Sequence, residues 1–142
     1  MKGMMKTAVM TAIGKVELTE RPIPLPAPGE VLVKVEYVGI CGSDLHYFES
    51  GRIGDYVVKP PFVLGHEAGG VVVETGEGVT DLAPGDRVAL EPGKTCGHCE
   101  HCKEGRYNLC ENVIFSPLRR WTAFFRNMWR MKPGSASKSR IR

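Results

Sequence analysis

Four cysteines set the tightest limit on what this chain can fold into. Cys96, Cys99, Cys102 and Cys110 follow the spacing C-x2-C-x2-C-x7-C. Three thiols so close in sequence point inward together only around something that binds them, and the fourth closes a tetrahedron. Zinc is the default for four thiolates, and four protein ligands leave no open position, so such a site is structural. An iron–sulfur cluster is the competing reading, because its cysteine spacings look similar. His98 and His101 interleave the thiols and read as exposed loop histidines. The fifth cysteine, Cys41, stands far upstream. An odd, bunched set of thiols fits metal ligation in a reducing compartment better than a disulfide framework.

Cys41 opens a second group. It lies in Gly39-Ile40-Cys41-Gly42-Ser43-Asp44-Leu45-His46, and Gly65-His66-Glu67 follows downstream. Cys41, His66 and Glu67 together match the ligand set of a catalytic zinc that keeps a position open for water or substrate. The Ser43 hydroxyl and the His46 imidazole are the groups that a proton path away from a metal-held alcohol needs. Taken singly, each residue reads as a buried free cysteine or an ordinary histidine. Their clustering, beside a four-cysteine group, favours the metal.

The 142 residues suffice for one domain with a closed hydrophobic core. With 42% hydrophobic and 25% charged residues the composition is that of a soluble globular protein. No run is long and apolar enough to cross a bilayer, and the N-terminus lacks an apolar signal core, so the expected location is the cytoplasm. Met5 to Thr11 and Lys15 to Glu20 read as strands joined at Gly14. The proline run from Arg21 to Glu30 must be extended, as a rigid connector or, alternatively, an SH3 ligand. Val31 to Val38 is a β-branched strand that delivers Cys41 to a turn. Ser43-Asp44 is placed to cap a short helix ending near Ser50, with Ser43, His46 and Tyr47 close on its surface. Gly51 to Asp55 reads as a loop, and Phe62 to Leu64 as extended. Val71 to Glu74 and Arg87 to Leu90 read as strands, with close backbone approach expected at Gly65, Gly69 and Gly70. Many short strands punctuated by Gly and Pro argue for a mainly β barrel or sandwich. No G-x-G-x-x-G follows a strand and opens a helix, so the chain offers no dinucleotide fingerprint.

These residues resemble a known family. Cys41 to Tyr47, Gly51 to Asp55, Gly65 to Ala68 and the four-cysteine lobe are similar to zinc-dependent medium-chain alcohol dehydrogenases, most of all to the sorbitol (L-iditol) and xylitol dehydrogenase branch. The resemblance runs from about Met5 to Phe115. It implies a GroES-like β-barrel catalytic domain over residues 1–115, incomplete here, with a zinc lobe over about 94–112. A Rossmann domain that binds NAD(P) follows in the family and is absent from this sequence. It implies that Cys41 and His66 hold catalytic zinc, with Glu67 a ligand or immediate neighbour, and that Cys96, Cys99, Cys102 and Cys110 hold structural zinc. It further implies that Ser43 and His46 pass the alcohol proton outward, that Asp44 holds the local geometry, and that Tyr47 borders the substrate. The implied chemistry oxidises a polyol, or another secondary alcohol, to a ketone, with hydride passing to the nicotinamide. Such enzymes form homo-oligomers. On this resemblance the 142-residue chain alone is expected to be inactive.

Residues 116–142 differ in kind. Residues 1–115 carry a net charge of −5, whereas 116–142 carry eight basic residues and no acid. Codons can be written for Phe115 to Ala123 that, with one T restored, read Phe-Phe-Ala-Thr-Pro-Pro-Val-Asp-Gly, which is similar to the family's continuation. The tail therefore reads as out-of-frame translation and not a domain. The alternative is a basic arm for nucleic acid or another anionic partner, which would make the chain a zinc-stabilised binding module.

Overall fold

The computed structural model describes residues 3–115, Met128–Met131 and Ala136–Lys138. The rest of the basic tail, including most of the Phe115 to Ala123 stretch, lies outside the described residues. The chain opens with an antiparallel hairpin of β1 (Met4–Ala12) and β2 (Lys15–Pro22), turning where Gly14 takes a φ of 74°. After the proline connector come β3 (Val31–Gly39) and helix α1 (Gly42–Ser50). Two short strands, β4 (Arg52–Ile53) and β5 (Tyr56–Val57), pair where a loop was expected, because Gly54 adopts the left-handed turn that two antiparallel strands need. Next are β6 (Glu67–Thr75) and β7 (Arg87–Leu90). The cysteine lobe holds β8 (Gly93–Lys94), helix α2 (Glu100–Lys103), a 3-10 turn at Tyr107–Leu109 and β9 (Ile114–Phe115). Finally β10 (Met128–Met131) and β11 (Ala136–Lys138) return to the main sheet. That sheet runs β10-β3-β6-β7-β11 with every neighbour antiparallel, so the fold is mainly β as expected.

Strand β3 is the centre of the structure. Val31, Leu32 and Val33 are consecutive and all fully buried, which a strand with one solvated face cannot achieve. Val31 and Val33 pack with Val72, Leu82, Val88 and Leu90, while Leu32 faces the other way onto Met5 of the hairpin. Burying each such side chain contributes about 1.5–3 kcal/mol. A third cluster, Met10, Tyr47, Val58 and Leu64, seats α1 against β1. Met10 and Phe62 exchange backbone hydrogen bonds of 2.7 and 3.0 Å, tying the segment ahead of His66 to the hairpin. No described helix is long and apolar enough to cross a membrane.

The outer strands of the main sheet come from the tail: β10 pairs with β3 and β11 with β7. Strand β6 begins at Glu67, well before the Val71 expected, because its glycines lie directly under β3. At Gly70 a Cβ would drive into the Lys34 carbonyl oxygen of β3. The obstacle is the main chain of a paired strand and cannot swing aside. Gly70→Ala is therefore expected to destabilise by about 1–3 kcal/mol, as overpacking does. A urea midpoint equal to that of the unsubstituted chain would show that the strands separate without strain.

Candidate metal centres

The first centre forms where β3 runs into α1. Cys41 is the N-cap of α1, extended at φ −85° and ψ 154°, so its side chain stands at the helix mouth. The helix thus starts earlier than a Ser43-Asp44 cap would place it. Asp44, three residues in, reaches back, and its Oδ2 accepts the Cys41 N–H at 3.1 Å. Its Oδ1 accepts the Gly65 N–H at 3.0 Å and lies 3.4 Å from His66 Nδ1. One carboxylate, only 4% exposed, thereby fastens two segments that are distant in sequence. An Nδ1–H directed at Asp44 leaves His66 Nε2 with the lone pair, the arrangement a metal-holding imidazole needs. Gly65 has a φ of 90°, the left-handed turn that brings His66 round to Cys41.

One ligand atom from each of Cys41, His66 and Glu67 lies within 4.8 Å of the others. Glu67 Oε1 stands 3.9 Å from His66 Nε2. The His66 side chain is 12% exposed and that of Glu67 56%, so the group is walled on the protein side and open on the other. A soft thiolate, an imidazole and a carboxylate with one side open fit a zinc ion that exchanges its remaining ligand. Ser43 and His46 follow on α1, Ser43 half-buried and His46 exposed. Tyr47, expected beside the substrate, is packed into the Met10, Val58 and Leu64 cluster, and burial raises the pKa of its hydroxyl.

The second centre is the lobe. Sγ atoms of Cys96, Cys99, Cys102 and Cys110 all lie within 4.8 Å of one another, and no disulfide joins them. Cys96 and Cys102 sulfurs are 3.9 Å apart. Backbone N–H groups of His98 and Cys99 pull the Cys96 thiol down to about 6, readying one ligand as thiolate, while burial pushes Cys102 up. The lobe has no apolar core of its own. From Glu91 to Ile114 the only buried residue is Cys110, and Tyr107, Leu109, Val113 and Ile114 are all exposed. Four thiols this close in a segment without a core could hold a tetrahedral metal, which would cross-link it. His98 is exposed, as expected, with Nδ1 2.9 Å from the Cys96 carbonyl oxygen. His101 is half-buried instead, and its Nδ1 is buried without a hydrogen-bond partner among the described residues.

Fold and sites together define a small antiparallel β domain that gathers two sets of side chains able to hold a metal ion, one open to solvent and one closed. The Alcohol dehydrogenase GroES-like domain model matches residues 27–138, and the chain belongs to that family. It is 56% identical to the sorbitol dehydrogenase of Bacillus subtilis over 111 residues, 78% of this chain and 31% of that protein. It is 55% identical to D-xylulose reductase A of Aspergillus oryzae over 109 residues, 76% of this chain and 30% of that protein. The chain thus spans less than a third of these curated relatives. Among solved structures, a cobalt- and zinc-bound thermostable alcohol dehydrogenase from Pyrobaculum aerophilum superposes with a TM-score of 0.84 at 27% identity. That match covers 99% of this chain and 43% of the other.

Proposed function

We propose that this chain is the zinc-holding N-terminal part of an NAD(P)-dependent polyol dehydrogenase that oxidises a secondary alcohol to a ketone. The observation that carries the reading is the convergence of Cys41, His66 and Glu67, open to solvent on one side, in a chain that is 56% identical to a sorbitol dehydrogenase over 111 residues. Zinc held there supplies a Lewis acid that makes the alcohol hydroxyl more acidic. Cys41 and His66 bind it, and Glu67 completes or adjoins the ligand set. Asp44 fixes the tautomer and direction of His66. The Ser43 hydroxyl accepts the alcohol's proton while giving up its own towards His46, whose exposed ring returns it to water. A nicotinamide cofactor, when bound, would supply the hydride acceptor; none of residues 1–115 is assigned to hold it. Cys96, Cys99, Cys102 and Cys110 bind a second zinc with a structural role. The protein works in the cytoplasm on small polyols, in an oligomer, and residues 116–142 arise from out-of-frame translation and are not a domain, although backbone groups of β10 and β11 pair in the sheet.

Metal analysis tests the core of this reading. The chain purified with zinc is expected to contain about two zinc ions, and Cys41→Ala or His66→Ala about one, by the rule that each centre needs its full ligand set. In the whole protein either substitution should abolish NAD-linked sorbitol or xylitol oxidation. Two zinc ions retained in both variants, or oxidation that survives them, would overturn the assignment.

A further inference from the structure

Gly39 is the last residue of β3, and in the antiparallel register with β6 it faces Glu67. A Cβ built on Gly39 would lie 2.6 Å from Glu67 Oε2, 3.2 Å from its Cβ and 3.6 Å from its Cδ. All three of its nearest obstacles belong to that one side chain. The backbone itself does not call for glycine, because Gly39 is outside the left-handed region that the other turn glycines occupy. It is unlike Gly70, where the obstacle is the main chain of the neighbouring strand. The absent side chain at residue 39 is therefore room for a carboxylate, two residues from Cys41 and across the ladder from Glu67.

We propose that Gly39 is a positioning residue for the open metal centre: its missing side chain is the space that lets the Glu67 carboxylate stay beside Cys41 and His66. The inference rests on the reading of Cys41, His66 and Glu67 as a metal centre. Cross-strand partners on one face have Cβ atoms close enough to compete for the same volume. Glu67 is largely exposed, so a methyl group at residue 39 displaces its carboxylate end into solvent, while the 3.2 Å approach to its backbone-fixed Cβ asks for a shift of a few tenths of an ångström between the strand ends. Gly39→Ala should thus preserve the fold and remove the carboxylate from the metal. That combination separates it from Gly70→Ala, which acts on the sheet.

The test is a Co2+ titration of the full chain, followed by cobalt–thiolate absorption. Subtracting the Cys41→Ala spectrum isolates the open centre from the four-thiolate lobe. Gly39→Ala is expected to weaken Co2+ there by about 10- to 100-fold, the usual effect of disturbing a group that supports a metal site. Glu67→Ala should do the same, and the double variant should be no weaker than Glu67→Ala alone, because both substitutions remove one interaction. Co2+ bound by Gly39→Ala as tightly as by the unsubstituted chain would overturn the proposal. So would a loss that adds in full to that of Glu67→Ala. A spectrum in which Cys41→Ala changes nothing refutes the metal centre itself, a distinct result. Should Gly39→Ala not fold, Gly39→Ala/Glu67→Gly, which removes the facing Cβ as well as the carboxylate, is expected to recover the fold, and its failure to do so would show that the glycine serves the strand.

Discussion

Cys99→Ser should lower the zinc content by about one ion per chain and loosen residues 94–112 while leaving the main sheet folded. The lobe is held at its neck by only the short pair β8 and β9, matched at Gly93 with Phe115 and Lys94 with Ile114. Inside it α2 spans four residues, too few to be stable alone. With Cys110 its only buried residue, no apolar cluster can take over when a ligand is lost. Structural zinc contributes on the order of 10–16 kcal/mol to small domains of this kind, so removing one thiolate is expected to undo the site as a unit. Serine keeps the size of the side chain but offers a hydroxyl that does not ionise near neutral pH. The measurement is metal analysis paired with hydrogen exchange on peptides from the lobe and from β3. Unchanged zinc content would refute the structural assignment. Exchange that rises equally in β3 would show that the lobe is not an independent unit.

The sequence showed some of this directly and hid the rest for identifiable reasons. Strand β3 was legible because Val31 to Val38 is β-branched and unbroken, and its observed end at Gly39 is one residue later. The lobe was legible because cysteine spacing carries its own geometry. Strand β6 was read short, since Gly69 and Gly70 lower strand propensity even though close approach of β3 requires them. Strands β10 and β11 were invisible because the ladder uses backbone groups, which any non-proline residue supplies, and their side chains show no period. At the open centre, Cys41, His66 and Glu67 stood out as ligand types. Gly39 did not, because it matters through a cross-strand register. Asp44 was expected to hold the local geometry only through the family resemblance; its hydrogen bond to Gly65, twenty-one residues away, is not visible in the spacing. Tyr47 was placed beside the substrate by resemblance alone; the structure adds that it and Asp44, three residues apart, are the buried residues of α1.

Asp44 carries the other large prediction, because its carboxylate does what no single neutral group can repeat. Its two oxygens accept from two backbone N–H groups, Cys41 and Gly65, and Oδ1 also faces His66 Nδ1. Asp44→Asn preserves the shape and halves the acceptors. The amide oxygen can serve one N–H group, and the amide nitrogen turns a donor towards the other. Leaving a buried N–H unpaired costs about 1–3 kcal/mol, so the variant should unfold at lower urea by that amount. Loss of the acceptor facing His66 should also weaken Co2+ at the Cys41 centre by about 10- to 100-fold. The four-thiolate lobe makes no hydrogen bond to Asp44 and should keep its zinc. That contrast is the informative part: a general loss of structure would lower both centres together, whereas a failed clamp lowers only one. If Asp44→Asn binds Co2+ at the Cys41 centre as tightly as the unsubstituted chain, then Cys41 and His66 are held in place by the packing of α1 on Met10, Val58 and Leu64, and the carboxylate is not their anchor.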